Sequence, residues 1–163
     1  MIILSDATAR DIDVIMQIER SDGYERQVGR WEHDQHLSEL SKRTNRYLVG
    51  RDAQTVIGFA ILQGVGGSND CILLRRIAVR RPGRGDGSAL LRQVLTYAFG
   101  ALAAHRVELR VFTTNGRAHR AYLKSGFVAE GILRDLHKNP DGSFASMMVM
   151  SILRPEWLAV PPE

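Results

Sequence analysis

The sequence has little of what holds secreted proteins together or anchors membrane proteins. Cys71 is the single cysteine in 163 residues, so no disulfide can form within the chain, and we expect a reducing compartment. No apolar run approaches the roughly 20 residues that cross a bilayer. The first residues reach Ser5 and Asp6 without a basic segment, unlike a signal peptide. We therefore expect a cytoplasmic protein with no membrane partner.

Excess charge of one sign is also scarce. The net charge is +4, from 22 Lys and Arg against 18 Asp and Glu, and it is dispersed along the chain. An excess of this size does not indicate a nucleic-acid partner. All but three of the basic residues are arginine, whose planar group suits pairing with phosphate and carboxylate. The length fits one domain, which we predict over residues 1–163.

Hydrophobic spacing predicts an alternation of strands and helices. Helices are predicted over residues 7–20, 26–40, 88–99 and 116–125. Strands are predicted over residues 2–4, 47–49, 55–62, 71–79, 107–112, 127–134 and 144–153. This order indicates an α/β (α+β) fold in one layered domain, with a central, mostly antiparallel sheet of six to seven strands and helices on both faces.

A glycine-rich turn joins the strand over 71–79 to the helix that follows. Gly83, Gly85 and Gly87 place bare backbone amides at a helix N-terminus, where they can bind phosphate oxygens, and Arg84 adds a positive charge. A nucleotide P-loop is excluded because no Gly-Lys-Ser/Thr follows, and Gly-x-Gly-x-x-Gly is not completed. The alternative is a tight turn without a ligand.

A second motif begins at Asn115, which stands where a helix N-cap belongs. Ala118 and Tyr122 are four residues apart and therefore share one helical face. Gly126 ends the helix, and Phe127 opens the next strand. The Tyr122 hydroxyl is placed either to act on a ligand or to pack between helix and sheet.

Together these motifs resemble the GNAT superfamily of N-acetyltransferases. Residues 84–89 match its Arg/Gln-x-x-Gly-x-Gly/Ala signature, residues 74–79 look like its fourth strand, and residues 115–127 match its later Asn-x-x-Ala-x-x-x-Tyr-x-x-x-Gly-Phe motif. The resemblance implies a GNAT fold with a splayed pair of parallel strands, and acetyl-CoA as co-substrate without a metal. It implies that the cofactor is bound by Ile77, Ala78, Val79, Arg84, Gly85, Asp86, Gly87, Ser88, Ala89, Asn115, Ala118 and Tyr122.

The end of the chain is similar to one branch of that superfamily, the ribosomal-protein alanine acetyltransferases. Residues 130–135, 141–143 and 150–153 carry this likeness, and the whole resemblance covers about residues 47–157. It is weak over the first forty-odd residues, which usually form the acceptor side of the site. Superfamily members often form dimers, so a homodimer is implied as well.

The implied reaction is direct attack of a neutral amine on the acetyl thioester in a ternary complex. Asn115 and Tyr122 are the implied catalytic residues, with Tyr122 as general acid toward the thiolate. Some members carry a glutamate five residues before the asparagine, where this chain has Arg110. The candidate bases are therefore Glu19, Glu32, Asp70 and Glu108, each of which is more often a solvated surface charge.

The remaining polar and aromatic residues give weaker indications. His33 and His36 have a spacing compatible with a metal but no third ligand, so a polar helix surface is the better interpretation. Tyr24 and Trp31 fit either an acceptor pocket or packing at the rim of the core. The basic stretch at Arg75-Arg76 fits either phosphate attraction or solvation.

Two hypotheses of different classes remain. The first is an acetyl-CoA-dependent N-acetyltransferase that acts on a primary amine, either a protein N-terminus or a small molecule such as a polyamine, amino acid or aminoglycoside. The second is a non-catalytic acyl-CoA-binding module with the same fold. Thiol release from acetyl-CoA with a panel of amines separates them, because the second predicts binding without turnover.

Overall fold

The computed structural model describes residues 2–24 and 30–159 and contains a seven-stranded sheet. The strands are β1 (Ile3–Asp6), β2 (Asn45–Asp52), β3 (Thr55–Gln63), β4 (Cys71–Val79), β5 (Arg106–Phe112), β6 (Val128–Lys138) and β7 (Phe144–Leu153). Their order across the sheet is β1-β2-β3-β4-β5-β7-β6, antiparallel throughout except for the parallel pair β4–β5. The predicted mixed, mostly antiparallel sheet is confirmed.

Helices cover both faces of this sheet. They are α1 (Ile12–Glu19), α2 (His33–Ser41), α3 (Asp86–Phe99), α4 (Gly116–Lys124) and α5 (Arg154–Ala159), and a 3₁₀ turn at Ala9–Asp11 precedes α1. Alternating residues of β2 show the two-sided burial, because Leu48 packs with α3 while Val49 packs with α1. The faces are named here the α1/α2 face and the α3/α4 face, since Ala118 and Tyr122 of α4 pack on the α3 cluster.

Several predicted boundaries were wrong near the N-terminus. The helix predicted over 7–20 is interrupted because Thr8 forms a capping box with Asp11, whose Oδ2 accepts from the Thr8 backbone N–H at 2.8 Å. The helix predicted over 26–40 begins only at His33, since Glu32 has extended backbone angles (φ −78°, ψ 163°). Residues 26–29 of that prediction lie outside the described residues.

Boundaries elsewhere moved less. The helix α3 begins at Asp86 rather than at residue 88, and β6 continues past residue 134 to Lys138. The short helix α5 was not predicted. Its Trp157 ring stacks on Phe99 at 6.0 Å between centroids, a contact between segments far apart in sequence that local periodicity does not reveal.

The parallel strands β4 and β5 part halfway along their length, as the resemblance implied. Their pairing runs from Cys71 opposite Arg106 to Leu74 opposite Leu109, and then stops while both strands continue. A bulge marks the separation, because Ile61 of β3 lies opposite Arg76 whereas Leu62 lies opposite Leu74, which leaves Arg75 as an extra residue. The gap between the strands is where the candidate site forms.

Candidate active site

A cavity of about 390 Å³ fills the gap between the parted strands. Its walls are Leu73–Val79 of β4 and Leu109–Phe112 of β5, with the glycine turn and α4 adding residues from the α3/α4 face. From the other side come Tyr24, His137 and Met147. The cavity thus links the two faces of the sheet through its middle.

The backbone of β4 offers polar groups along this cavity. The Arg80 N–H donates to the Ile57 carbonyl at 2.7 Å, so these two residues form a hydrogen-bonded pair of the β3–β4 ladder. In an antiparallel ladder every second pair is hydrogen-bonded, which makes Ala78 and Phe59 the next such pair. The backbone groups of Ala78 are therefore turned to β3, and those of Ile77 and Val79 are turned to the gap. Of the three β4 residues predicted to bind the cofactor, Ile77 and Val79 have open edges.

Tyr24 already contacts this open edge. Its hydroxyl accepts from the Val79 N–H and donates to the Val79 carbonyl, both at 3.1 Å, and its ring is buried. The sequence favoured packing at the core or rim for Tyr24, and its part as a polar group of the site was missed. The pairing of residues 55 positions apart has no local signal in the sequence.

The glycine turn is shaped as the sequence predicted. Gly83 and Gly85 have φ of 86° and 87°, which side-chain-bearing residues rarely adopt. Gly85 is the N-cap of α3 and provides no side-chain cap, so the first amides of the helix are left for another acceptor. Gly85, Gly87 and Ser88 line the cavity. The other predicted residues of the turn are not among its lining: Arg84, Asp86 and Ala89.

Asn115 and Tyr122 stand on the opposite wall. Asn115 is the predicted N-cap of α4, and its Oδ1 accepts from the Ala118 N–H at 3.1 Å. Tyr122 is half-buried and packs on Phe127. Burial, with a smaller contribution from Tyr24, raises the pKa of Tyr122 to about 12, so its hydroxyl remains protonated at neutral pH.

A buried charge cluster lies under the cavity on the α1/α2 face. Glu19 is fully buried: its Oε2 accepts from Arg76 at 3.1 Å, and its Oε1 lies 3.1 Å from His36 Nε2. The ring of His36, also fully buried, contacts the Tyr47 hydroxyl at 3.1 Å. The surface positions predicted for Glu19 and His36 were therefore wrong. Arg76 lies on the bulged strand β4 and binds Glu19 from a position 57 residues away.

Arg76 is also fixed by an aromatic contact. Its guanidinium carbon lies 3.9 Å from the centroid of the Trp31 ring, in cation–π geometry. Burial lowers the pKa of Arg76 to about 10, opposed by Glu19, and the group stays charged at neutral pH. The solvated position considered for Arg76 was wrong, since the residue is only 7% exposed.

The other candidate bases lie apart from the cavity. Glu32 is exposed and pairs with Arg20 at 3.1 Å. Asp70 is exposed, and its carbonyl accepts from the His105 N–H. Glu108 pairs with Arg106 at 3.0 Å. Neither these three nor Glu19 is among the residues described as lining the cavity.

The described residues show neither a metal site nor a membrane-spanning helix. They contain no group of three or more His, Cys, Asp or Glu side chains arranged to hold a metal ion. Within the same ranges, no helix combines the length and apolarity needed to cross a membrane.

A sheet that opens between two parallel strands, with a glycine turn at one end of the gap and a tyrosine on its wall, is the arrangement that the resemblance to the acetyltransferases implied. The comparison with known families agrees, since residues 12–127 match the acetyltransferase (GNAT) family. The chain belongs to that family. The family and fold predicted from the sequence are confirmed.

The match to an individual curated protein covers a smaller part of the chain than the family match does. An uncharacterized N-acetyltransferase of Bacillus subtilis (strain 168), YoaA, is 37% identical over 71 residues, and the match covers 44% of this chain and 40% of that protein. This chain therefore matches less than half of that relative's length. The likeness of this chain to the ribosomal-protein alanine acetyltransferases stays a prediction.

Solved structures extend the likeness over the whole fold. A chimera of the spermidine N-acetyltransferase SpeG from Vibrio cholerae and hSSAT superposes with a TM-score of 0.86 at 23% identity, covering 98% of this chain and 99% of that one. The Vibrio cholerae spermidine N-acetyltransferase in complex with CoA and spermine gives 0.84 at 22% identity, covering 96% and 98%. At these identities the likeness is one of fold.

Proposed function

We propose that this protein transfers the acetyl group of acetyl-CoA to a primary amine by direct attack in a ternary complex. The observation that carries the proposal is the cavity through the sheet, which has helix amides at one end and Tyr122 on its wall. Membership of the acetyltransferase family supports it. The cytoplasmic location and the homodimer predicted from the sequence belong to the same proposal.

The residues present fit the cofactor. The left-handed Gly83 and Gly85 leave open space beside them, and the amides at the start of α3 can donate hydrogen bonds to a diphosphate. The open edge of β4 at Ile77 and Val79 suits the amides of the pantetheine arm, which would add like a short strand. Since Tyr24 holds both polar groups of Val79, cofactor binding would replace these contacts.

The other predicted cofactor residues keep supporting parts in this proposal. Arg84, Asp86 and Ala89 belong to the turn that shapes the cradle, and Ala78 fixes β4 to β3. Asn115 and Ala118 hold the first turn of α4, and thereby place Tyr122 one turn further along the cavity wall.

Acetyl-CoA supplies the acetyl thioester. The residues of this chain position the two substrates and protonate the leaving sulfur. The amine enters from the α1/α2 face, because the glycine turn takes the cofactor on the other. Tyr122 donates its proton toward the sulfur as the bond to the acetyl carbon breaks, consistent with a phenol that is neutral at working pH. Because the four candidate carboxylates lie outside the cavity lining, we propose that the amine loses its proton to water, and that water returns a proton to Tyr122.

Both a protein N-terminus and a small-molecule amine are acceptors that this mechanism accommodates. A structural neighbour was solved in complex with CoA and the polyamine spermine, which supports a small-molecule amine as the acceptor. A non-catalytic acyl-CoA-binding module is the second candidate, and it is favoured by the missing carboxylate in the cavity lining of the described residues. Turnover of acetyl-CoA with an amine separates the acetyltransferase from the binding module.

The experiment measures free thiol released from acetyl-CoA with a panel of amines, alongside calorimetry of CoA binding. Tyr122→Phe should lower kcat by about 10²–10⁴-fold, the usual contribution of a general acid, with little change in the KM for acetyl-CoA. Tyr97→Phe is the matched control, since Tyr97 lies on α3 and is not in the cavity lining. CoA binding without turnover on any amine would favour the binding module, and no CoA binding by folded protein would overturn both candidates.

A further inference from the structure

We infer that the acceptor is an amine that also carries a carboxylate, and that Arg110, together with Arg75, binds this carboxylate. The inference rests on the proposed function and names the substrate class of the same site. It departs from the polyamine that the structural neighbours are named for.

The charges along the cavity carry the first step. The described lining contains four arginines and one histidine, and no aspartate or glutamate. The four arginines are Arg75, Arg76, Arg110 and Arg117. A polyamine bears several ammonium groups, and each one beyond the reacting nitrogen would find no carboxylate in the described lining and would be repelled by its arginines. An acceptor with an anionic group instead gains a partner.

The second step separates the arginines already engaged from those that remain. Arg76 is bound to buried Glu19 and packed on Trp31. Arg117, on α4, takes part in a further interaction besides the contact of its guanidinium carbon with the Tyr24 ring at 5.8 Å. Arg75 and Arg110 are both exposed, and among the described residues neither side chain has a hydrogen-bond or ion-pair partner; Arg75 has a contact with the Trp31 ring at 5.8 Å. These two are the cations of the lining that can take a new anion.

The third step places both residues at the acceptor end. Leu109 and Val111 of β5 pack into the core on the α3/α4 face, so Arg110 between them points to the α1/α2 face. Arg75 lies at the bulge of β4 with its guanidinium carbon 5.8 Å from the Trp31 centroid, which is also on that face. The two arginines therefore lie on the two strands that border the gap, on the face away from the glycine turn.

A carboxylate suits this arrangement. The planar guanidinium of arginine forms paired hydrogen bonds with a carboxylate, which fix orientation as well as position. Anchored between the two strands, the carboxylate would hold an amine on the adjoining carbon over the gap. The arginines also disfavour the protonated form of that amine, and so favour the neutral nucleophile where no carboxylate base lines the cavity.

The test compares acceptors that differ only in the carboxylate. Ornithine is paired with putrescine, and phenylalanine with phenethylamine; spermidine and a tripeptide amide complete the panel. We expect kcat/KM at least tenfold higher for the carboxylate-bearing member of a pair. Arg110→Glu should remove that preference through the KM of the acceptor, raise kcat/KM for spermidine, and leave the KM of acetyl-CoA unchanged. Arg43→Glu, the same charge reversal on an exposed residue outside the cavity lining, should change neither.

Each outcome decides the inference. A preference for spermidine, phenethylamine or the tripeptide amide overturns it while the proposed function stands. An increased KM for acetyl-CoA in Arg110→Glu, with the acceptor KM unchanged, also overturns it, because Arg110 would then bind cofactor phosphate. If CoA binds but no amine in the panel releases thiol, the proposed function fails and the inference with it. Arg110→Gln, which removes the charge without reversing it, covers the case in which the glutamate variant does not fold.

Discussion

Replacing Glu19 by glutamine isolates the value of the buried charge cluster. The substitution keeps the size of the side chain and one oxygen acceptor but removes the charge that faces Arg76 at 3.1 Å. Glu19 is fully buried and Arg76 is 7% exposed, so water cannot replace the lost partner. The glutamine amide would in addition direct its own N–H groups toward donors.

The expected cost follows from this burial. Removing one member of a buried ion pair leaves an uncompensated charge and destabilises by about 3–5 kcal/mol. The lowered pKa of Arg76, about 10, shows that burial already disfavours its charge even with Glu19 present. At a urea dependence of about 2 kcal/mol per molar, the unfolding midpoint of Glu19→Gln should fall by about 2 M.

The assay is equilibrium urea unfolding followed by circular dichroism and tryptophan fluorescence. Glu32→Gln is the matched control, because Glu32 has an 87% exposed side chain and pairs only at the surface with Arg20. Its free energy of unfolding should change by less than about 1 kcal/mol. The double variant Glu19→Gln/Arg76→Met should be more stable than Glu19→Gln alone, since it removes the stranded charge.

Two results would refute the reasoning. One is a Glu19→Gln midpoint within the shift of Glu32→Gln, which would mean that the Glu19–Arg76 pair contributes no more than a surface pair. The other is a double variant less stable than Glu19→Gln, which would mean that Arg76 stabilises through packing on Trp31 and not through its charge partner. If the single variant is unfolded, comparing the double variant with wild type still measures the cluster.

Three smaller predictions use the same unfolding assay. Gly58→Ala should cost about 1–3 kcal/mol because its Cβ would lie 2.8 Å from the Ala78 carbonyl oxygen and 2.8 Å from Leu90 Cδ2; Gly131→Ala, which meets nothing within 4 Å, should be near neutral, and equal costs would contradict the close-approach argument. Asn115→Ala should lose about 1 kcal/mol with the N-cap of α4, and an unchanged midpoint would show that the cap contributes nothing. The hydrogen bonds from Arg106 lower the pKa of Glu130 to about 2, so its stabilisation is present above the unfolded value near 4.5 and is lost as the pH falls through about 2. Glu130→Gln should therefore cost under about 1 kcal/mol at pH 7, since the pair is exposed, and should flatten the acid dependence between about pH 4.5 and 2; an unchanged acid slope would contradict the assignment.

Local rules were sufficient where the function of a residue depends on its near neighbours in sequence. The glycine turn and the cap at Asn115 were predicted because both depend only on near neighbours in sequence. A glycine adopts the left-handed conformation by itself, and the Asn115 side chain accepts from an N–H three residues away. The strand β7 was predicted at its observed ends, Phe144 and Leu153. These features carried the resemblance to the family, and that resemblance is confirmed.

The amino-acid sequence by itself thus determined the family, the sheet with helices on both faces, and the two motifs that flank the cavity. The tertiary structure alone decided which polar residues lie inside. Glu19 and His36 look like surface residues on short amphipathic helices, and only the packing of α1 and α2 over the bulged strand brings Arg76 and Tyr47 to them. Tyr24 reaches Val79, and Arg75 and Arg110 line the same cavity, for the same reason: contacts between residues far apart in the chain depend on strand order and register, which local patterning does not encode.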